Sequence, residues 1–244
     1  MSISSMSAMS SYTKPRKTGA TAPPAISSIE TARQNAYFAF NADNYNAGTK
    51  TFTDLSPNGR NRTFTGSTSP SVVSYSQSAT TFTTAKTFNV VSGVATDVCN
   101  LCPVSLTTYT FISVFRLPAD PGNSGAIYVE SGGNWICGGW FNNTGVCSHN
   151  GAWFGGTTAN KYGFNMWLCT DFSTGFRRNG TALGSAMTTT NMKAGSGINT
   201  GGATFGGRQF QIAEILCFDR ELTTSEMQTI ESALCSTYGI VSGS

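Results

Sequence analysis

Phe205-Gly-Gly-Arg-Gln-Phe-Gln-Ile-Ala-Glu-Ile-Leu-Cys-Phe-Asp-Arg-Glu-Leu-Thr-Thr-Ser-Glu226 is the stretch on which the fold turns. After the Gly206-Gly207 pair, residues 210–218 hold neither Gly nor Pro and are mostly apolar, which reads as a strand lying in a core. A charged corner, Asp219-Arg220-Glu221, follows. Thr223-Thr-Ser-Glu226 then fits a capping box, in which the Thr hydroxyl takes an orphan backbone N–H and the Glu side chain reaches back. Met227, Ile230 and Leu234 recur at i, i+3 and i+7, and Gly239 after Tyr238 supplies a stop. A short helix with one apolar stripe has to lie on a sheet, so 209–239 reads as a last core strand, a corner and a helix that seals the structure.

Outward from this segment the chain alternates short apolar runs with turn residues, a pattern of sandwiches rather than of βα repeats. Candidate strands are 37–41, 62–65, 72–75, 81–91, 107–117, 126–130, 135–140, 161–170, 175–178, 203–206 and 210–218. Strand 107–117 is apolar on both of its faces near the middle. Arg178-Asn-Gly-Thr181 places Asn-Gly where a two-residue hairpin needs positive φ at both central positions. Further turns fall at Pro57-Asn-Gly59, Pro118-Ala-Asp-Pro-Gly122 and Ser131-Gly-Gly-Asn134.

Ile212, Ala213, Glu214, Ile215, Leu216, Phe218, Asp219, Arg220, Leu222 and Thr223 occupy the places of a closing signature, "I-A-E-hydrophobic-hydrophobic-x-F/Y-D/N-R-x-L-T/S". The segment resembles that of the laminin-G-like, concanavalin A-like lectin/glucanase superfamily. Arg177-Arg-Asn-Gly-Thr-Ala-Leu183 is similar to the family's N-G hairpin. Tyr37-Phe-Ala-Phe-Asn-Ala-Asp43 with Asp54-Leu-Ser-Pro-Asn-Gly59 is similar to its opening strand and "D-x-S-G-N-G", with Pro57 standing where Gly is common. The resemblance spans about residues 36–240 and implies an all-β fold: a concanavalin A-like jelly-roll sandwich of two antiparallel sheets with one short C-terminal helix. It says little about function, because this sandwich hosts lectins, adhesion modules, hydrolases and virion proteins.

Charge is distributed unevenly. Residues 1–34 carry Lys14, Arg16, Lys17 and Arg33 against Glu30, which leaves 11 of the 15 basic and 11 of the 12 acidic side chains to the other 210 residues. A neutral body lacks the electrostatic footprint that nucleic-acid binding requires. Residues 1–34, rich in Ser, Thr, Ala and Pro, are too poor in apolar groups to repay their own ordering, and read as an extended basic arm before a domain at 35–244. No run approaches the roughly 18 apolar residues of a membrane span. The Ser-rich start lacks the pattern of a secretory signal, so synthesis in the cytosol is expected. Seven cysteines in a reducing compartment are expected as buried thiols, with Cys137 and Cys147 the first pair to consider for a bridge.

The chemistry of catalysis finds little support. A retaining glycosidase needs two carboxylates on one face about 5–5.5 Å apart. The chain has no Glu-x-Asp-x-x-Glu, and Asp219 and Glu221 read as parts of the charged corner. His149, the sole histidine, sits in Cys147-Ser-His-Asn-Gly151, which reads as a loop with no third group to orient a Cys–His dyad. Cys99-Asn-Leu-Cys102 lacks the second pair of a zinc knuckle. A calcium ion would draw on loop oxygens, with Asp120, Asn123 and Asp171 as candidates; no cofactor is expected. Asn61, Asn142 and Asn179 begin N-x-T sequons, read as chance matches in a Thr-rich chain. All four tryptophans, Trp135, Trp140, Trp153 and Trp167, fall within 135–167 among asparagines. A sugar platform built from Trp140, Trp153, Asn142 and Asn143 is the binding alternative.

The expectation is therefore a non-catalytic structural protein of a large assembly such as a virion shell, its sandwich filling the shell and its arm (Lys14, Arg16, Lys17) contacting neighbouring subunits. A lectin-like attachment module is the alternative. A polysaccharide hydrolase comes third.

Overall fold

The computed structural model describes residues 25–66, 68–94, 97–102, 106–118, 127–129, 135–140, 143–149, 152–154, 166–183, 196–199 and 209–243. Among these, a helix α1 (Ile29–Asn35) precedes strand β1 (Phe38–Asn41), a 3-10 turn (Ala42–Asn44), β2 (Tyr45–Asn46), β3 (Thr51–Phe52), β4 (Arg62–Thr65), β5 (Ser71–Gln77) and β6 (Lys86–Gly93). Then come β7 (Val98–Cys102), β8 (Thr110–Arg116), β9 (Ile127–Val129), β10 (Trp135–Trp140), β11 (Asn143–His149) and β12 (Ala152–Phe154). The chain closes with β13 (Trp167–Phe172), β14 (Gly175–Arg178), β15 (Thr181–Ala182), β16 (Ser196–Asn199), β17 (Phe210–Phe218) and helix α2 (Thr224–Tyr238).

Two antiparallel sheets result. One runs β15-β14-β13-β8-β17-β6-β5, with β1 also paired to β17; the other runs β12-β11-β10-β9-β16-β7-β4-β3-β2. Between the sheets lies a core rich in aromatic rings, in which Phe38, Phe40, Phe52, Phe64 and Phe210 follow one another with ring centroids 5.0 to 5.9 Å apart. A second core lies on the far side of the first sheet, where Val90, Ile112, Leu168 and Leu216 meet Met227, Ile230 and Leu234 of α2. Covered on both faces, β8 is buried from Thr110 to Phe115 and β17 at every position but Gln211.

The closing strand is found at 210–218, and the sealing helix has its expected ends. Thr223 and Glu226 form the complete capping box, and Gly239 takes the left-handed conformation at φ 62°. Asn179 and Gly180 have φ 48° and 85°, as the hairpin requires. Asn179 is also fully buried and accepts from Leu168 N at 3.0 Å, so its sequon is sealed inside the sandwich.

Two features differ from the sequence reading. The arm was expected to extend through residue 34, but Ile26 is buried and 29–35 form α1, capped by Ser28 and packed beside α2. The reason is partly a single side chain that reaches across the chain. Arg33 donates to both carboxylate oxygens of Glu214, at 2.8 and 3.0 Å, and Tyr238 Oη donates to the same carboxylate at 2.7 Å. Strict alternation from Phe210 and Ile212 would aim Glu214 between the sheets. A register slip between Ile212 and Glu214 turns it instead to the helical side. Burial pushes the Glu214 carboxyl up, against the pull of Arg33 and Tyr238. The second difference lies in strand count: β2, β3, β7, β11, β12, β15 and β16 were not expected, whereas the candidate at 203–206 lies outside the described residues.

The capping box yields a pH prediction. Hydrogen bonds from Arg220, and then from the Thr223 backbone and hydroxyl, hold the Glu226 carboxyl down to about 2 from 4.5. The folded state therefore holds this proton less tightly than the unfolded chain. Its stabilisation is complete above 4.5 and is lost as the pH falls toward 2. In thermal melts of wild type and Glu226→Gln across pH, the gap between the two should be constant near neutrality and close over that window.

Candidate functional site

The sequence-predicted sugar residues fall at one end of the nine-stranded sheet, on β10, β11 and β12. In the ladder Cys137 stands opposite Cys147, and Cys147 opposite Phe154. One position along, Ile136, Ser148 and Trp153 share a row. A bulge at Gly138/Gly139 shifts the register before Trp140 pairs with Asn143 at the end of the hairpin. Trp140 and Asn143 are thus paired at the hairpin end, and Trp153 lies on the outermost strand beside Ser148. Asn142, Lys14, Arg16 and Lys17 lie outside the described residues, as do Asp120 and Asn123. Trp167 belongs to the core, 2% exposed, with the Arg178 guanidinium 5.5 Å from its ring centroid.

The row of Cys137 and Cys147 faces the interior. Both thiols are free and buried, with Cys137 Sγ 3.8 Å from Ser113 Oγ of the other sheet. A hydrogen bond with Cys169, then burial, raises the Cys137 pKa well above that of an ordinary thiol; for Cys147 burial leads, with Asp171 adding to it. A thiol held in its neutral form is a poor nucleophile. His149 was read as a loop residue, but it ends β11 in register with Trp135 and Ala152, because the Gly/Asn-rich stretch after Cys137 folds into a hairpin. Asp171, considered for calcium, is a buried residue of β13 that accepts from Tyr109 Oη at 3.3 Å.

Several other described acids are employed in holding the fold. Asp54 accepts from Ala39 N, Ser56 N, Ser56 Oγ and Arg60 N at 2.7 to 3.0 Å, which pins the loop after β3 against β1. Glu231 pairs with Arg177, Glu226 with Arg220, and Glu221 accepts from Thr174 Oγ1 at 2.6 Å. Of the two corner acids, Glu221 thus meets a threonine rather than an arginine. Arg220 reaches forward to the helix cap rather than to Asp219 or Glu221. Among the described residues no group of three or more His, Cys, Asp and Glu is arranged to hold a metal ion, and no helix is long and apolar enough to cross a membrane.

No protein-family model matches this chain. No curated protein matches it either. Solved structures do. The binding domain of Paraclostridial Mosquitocidal Protein 1 superposes with a TM-score of 0.56 at 13% identity, over 83% of this chain and 53% of that one. The chain folds as a jelly-roll β-sandwich. A structure of botulinum neurotoxin type C, whose passage into cells is dependent upon interaction with two ganglioside molecules, gives a TM-score of 0.50 at 11% identity, over 85% of this chain and 53% of that one. At such identities the likeness is one of fold, and this sandwich spans about half the length of the structures it matches.

Proposed function

We propose that this chain is a non-catalytic carbohydrate-binding module built on a concanavalin A-like sandwich. The observation that carries the reading is that Trp140, Asn143 and Trp153 lie on three adjacent strands at one end of the sheet, Trp140 beside Asn143 at the hairpin end and Trp153 beside Ser148. Aromatic rings offer the apolar face of a pyranose a platform, and amides at the margin orient its hydroxyls. The row of Trp153 alternates with the row of buried Cys137 and Cys147. The absence of catalysis is supported by the structural employment of Asp54, Glu214, Glu226 and Glu231, and by the suppressed acidity of Cys147. One toxin sharing the fold depends on a glycolipid to reach the cell interior, which is the kind of attachment proposed here.

Full-length protein on a glycan array should bind a defined subset of glycans. Trp140→Ala and Trp153→Ala should each weaken that binding by about tenfold or more, while Trp→Phe at the same positions keeps part of it. An array left blank by the wild type overturns the proposal. A shell component of a virion, with Lys14, Arg16 and Lys17 contacting neighbouring subunits, is the second reading. It is favoured by the neutral body beside a basic N-terminal stretch. A blank array together with large, regular particles in light scattering and electron microscopy would favour it.

A further inference from the structure

A second recess lies far from the tryptophan edge. Thr68, Ser69, Ser71, Ser92, Asp97 and Gln209 are among the residues lining a cleft of about 330 Å³, where the β4–β5 connection meets the end of β6 and the start of β17. Its walls are held in place before any ligand arrives. Lys50 Nζ donates to Gly66 O at 3.1 Å and Thr68 O at 2.8 Å. Asp97, only 1% exposed, accepts from Thr68 Oγ1 at 2.5 Å and from Val94 N at 2.9 Å. Ser71 and Ser92 stand directly opposite each other in the β5–β6 ladder, so their backbones are in register at the wall. Gly93 is needed because the Phe210 ring occupies the place a Cβ would take. In the nine-stranded sheet, β4 is six strands from β12, about 30 Å at the usual strand spacing.

We propose that this cleft is a second saccharide subsite, one that takes an uncharged sugar unit; the proposal rests on the carbohydrate-binding reading above. Three serine hydroxyls that both donate and accept, the Thr68 hydroxyl that accepts while its proton goes to Asp97, and a carboxamide that does both match the dense hydroxyls of a pyranose. The volume sits at the small end of ligand sites, which run to about 300–1,000 Å³. No Lys, Arg or aromatic ring is among the described lining residues, so the grip comes from hydrogen bonds at the sugar's edge. A sulfated or carboxylated sugar would bring its charge toward Asp97, while the nearby Lys50 ammonium is already held by the carbonyls of Gly66 and Thr68.

Calorimetric titration of the full-length chain with uncharged hexose and N-acetylhexosamine oligosaccharides, and with their sialylated and sulfated forms, tests this. Exposed Ser69 and Ser71 allow two independent plugs, Ser69→Trp and Ser71→Trp. Both should weaken binding of uncharged oligosaccharides by about tenfold or more, with thermal midpoints within about 2 °C of wild type. Wild-type affinity in both plugged variants overturns the subsite, as does tighter binding of the charged forms. Should the plugs leave binding intact while Trp140→Ala or Trp153→Ala removes it, the subsite alone falls. If the wild type binds no saccharide at all, both proposals fall.

Discussion

Arg177→Ala should lower the free energy of unfolding by about 3–5 kcal/mol, read from the urea midpoint at neutral pH. Arg177 Nε lies 2.9 and 3.0 Å from the two carboxylate oxygens of Glu231, and its guanidinium also donates to Gly180 O. The two side chains are 8% and 2% exposed. This pair ties the β14–β15 hairpin to the middle of α2, the helix that seals the second core. Truncating the arginine leaves a carboxylate enclosed against the sheet with its main partner gone, and the cost is dominated by that stranded charge rather than by the loss of an attraction. Replacing both partners, as Arg177→Met with Glu231→Leu, should therefore cost much less than the single change. A double variant as damaged as Arg177→Ala would show that the pair itself stabilises the seal.

Phe52→Ala should be nearly as damaging, at about 3–5 kcal/mol. That is a fall in thermal midpoint on the order of 10 °C for a chain of this size. Phe52 belongs to a strand of two residues, yet it is fully buried, and its ring lies 5.3 Å from Phe40, 5.0 Å from Tyr45 and 5.7 Å from Phe64. Those neighbours come from both sheets and are close-packed, so they cannot collapse into the space left by a removed ring. Val72→Ala, at a site 37% exposed on the edge strand β5, provides the contrast and should change stability by no more than about 0.5 kcal/mol. Equal effects at the two positions would mean that the aromatic chain between the sheets is not the centre of the fold.

The parts of this protein that could be read along the chain are those whose physics is local. Residues 210–218 form a strand because they are apolar and unbroken, and Thr223, Glu226 and Gly239 bound the helix with hydrogen bonds and a backbone angle that involve only near neighbours. Asn179-Gly180 forms its turn for the same reason. Short strands such as 45–46, 51–52 and 181–182 carry too few residues to show a period, and α1 sat in a stretch whose composition looked unstructured.

For the candidate site, the sequence marked the concentration of Trp and Asn. It took the hairpin register to show that Trp140 pairs with Asn143, that Trp153 lies beside Ser148 and that Cys137 faces Cys147. The cleft around Asp97 left no trace in the sequence, since its walls come from three separate segments.

What the sequence determined by itself, then, is the antiparallel sandwich closed by a capped helix. What only the tertiary structure decided is where the charges of the closing strand and helix go. Glu214 reaches Arg33, 181 positions away, and Glu231 reaches Arg177, 54 positions away. No local pattern encodes such pairings: a one-residue slip in β17 sets the side to which Glu214 turns, and burial between sheet and helix then leaves each carboxylate stable only beside the cation that the fold delivers.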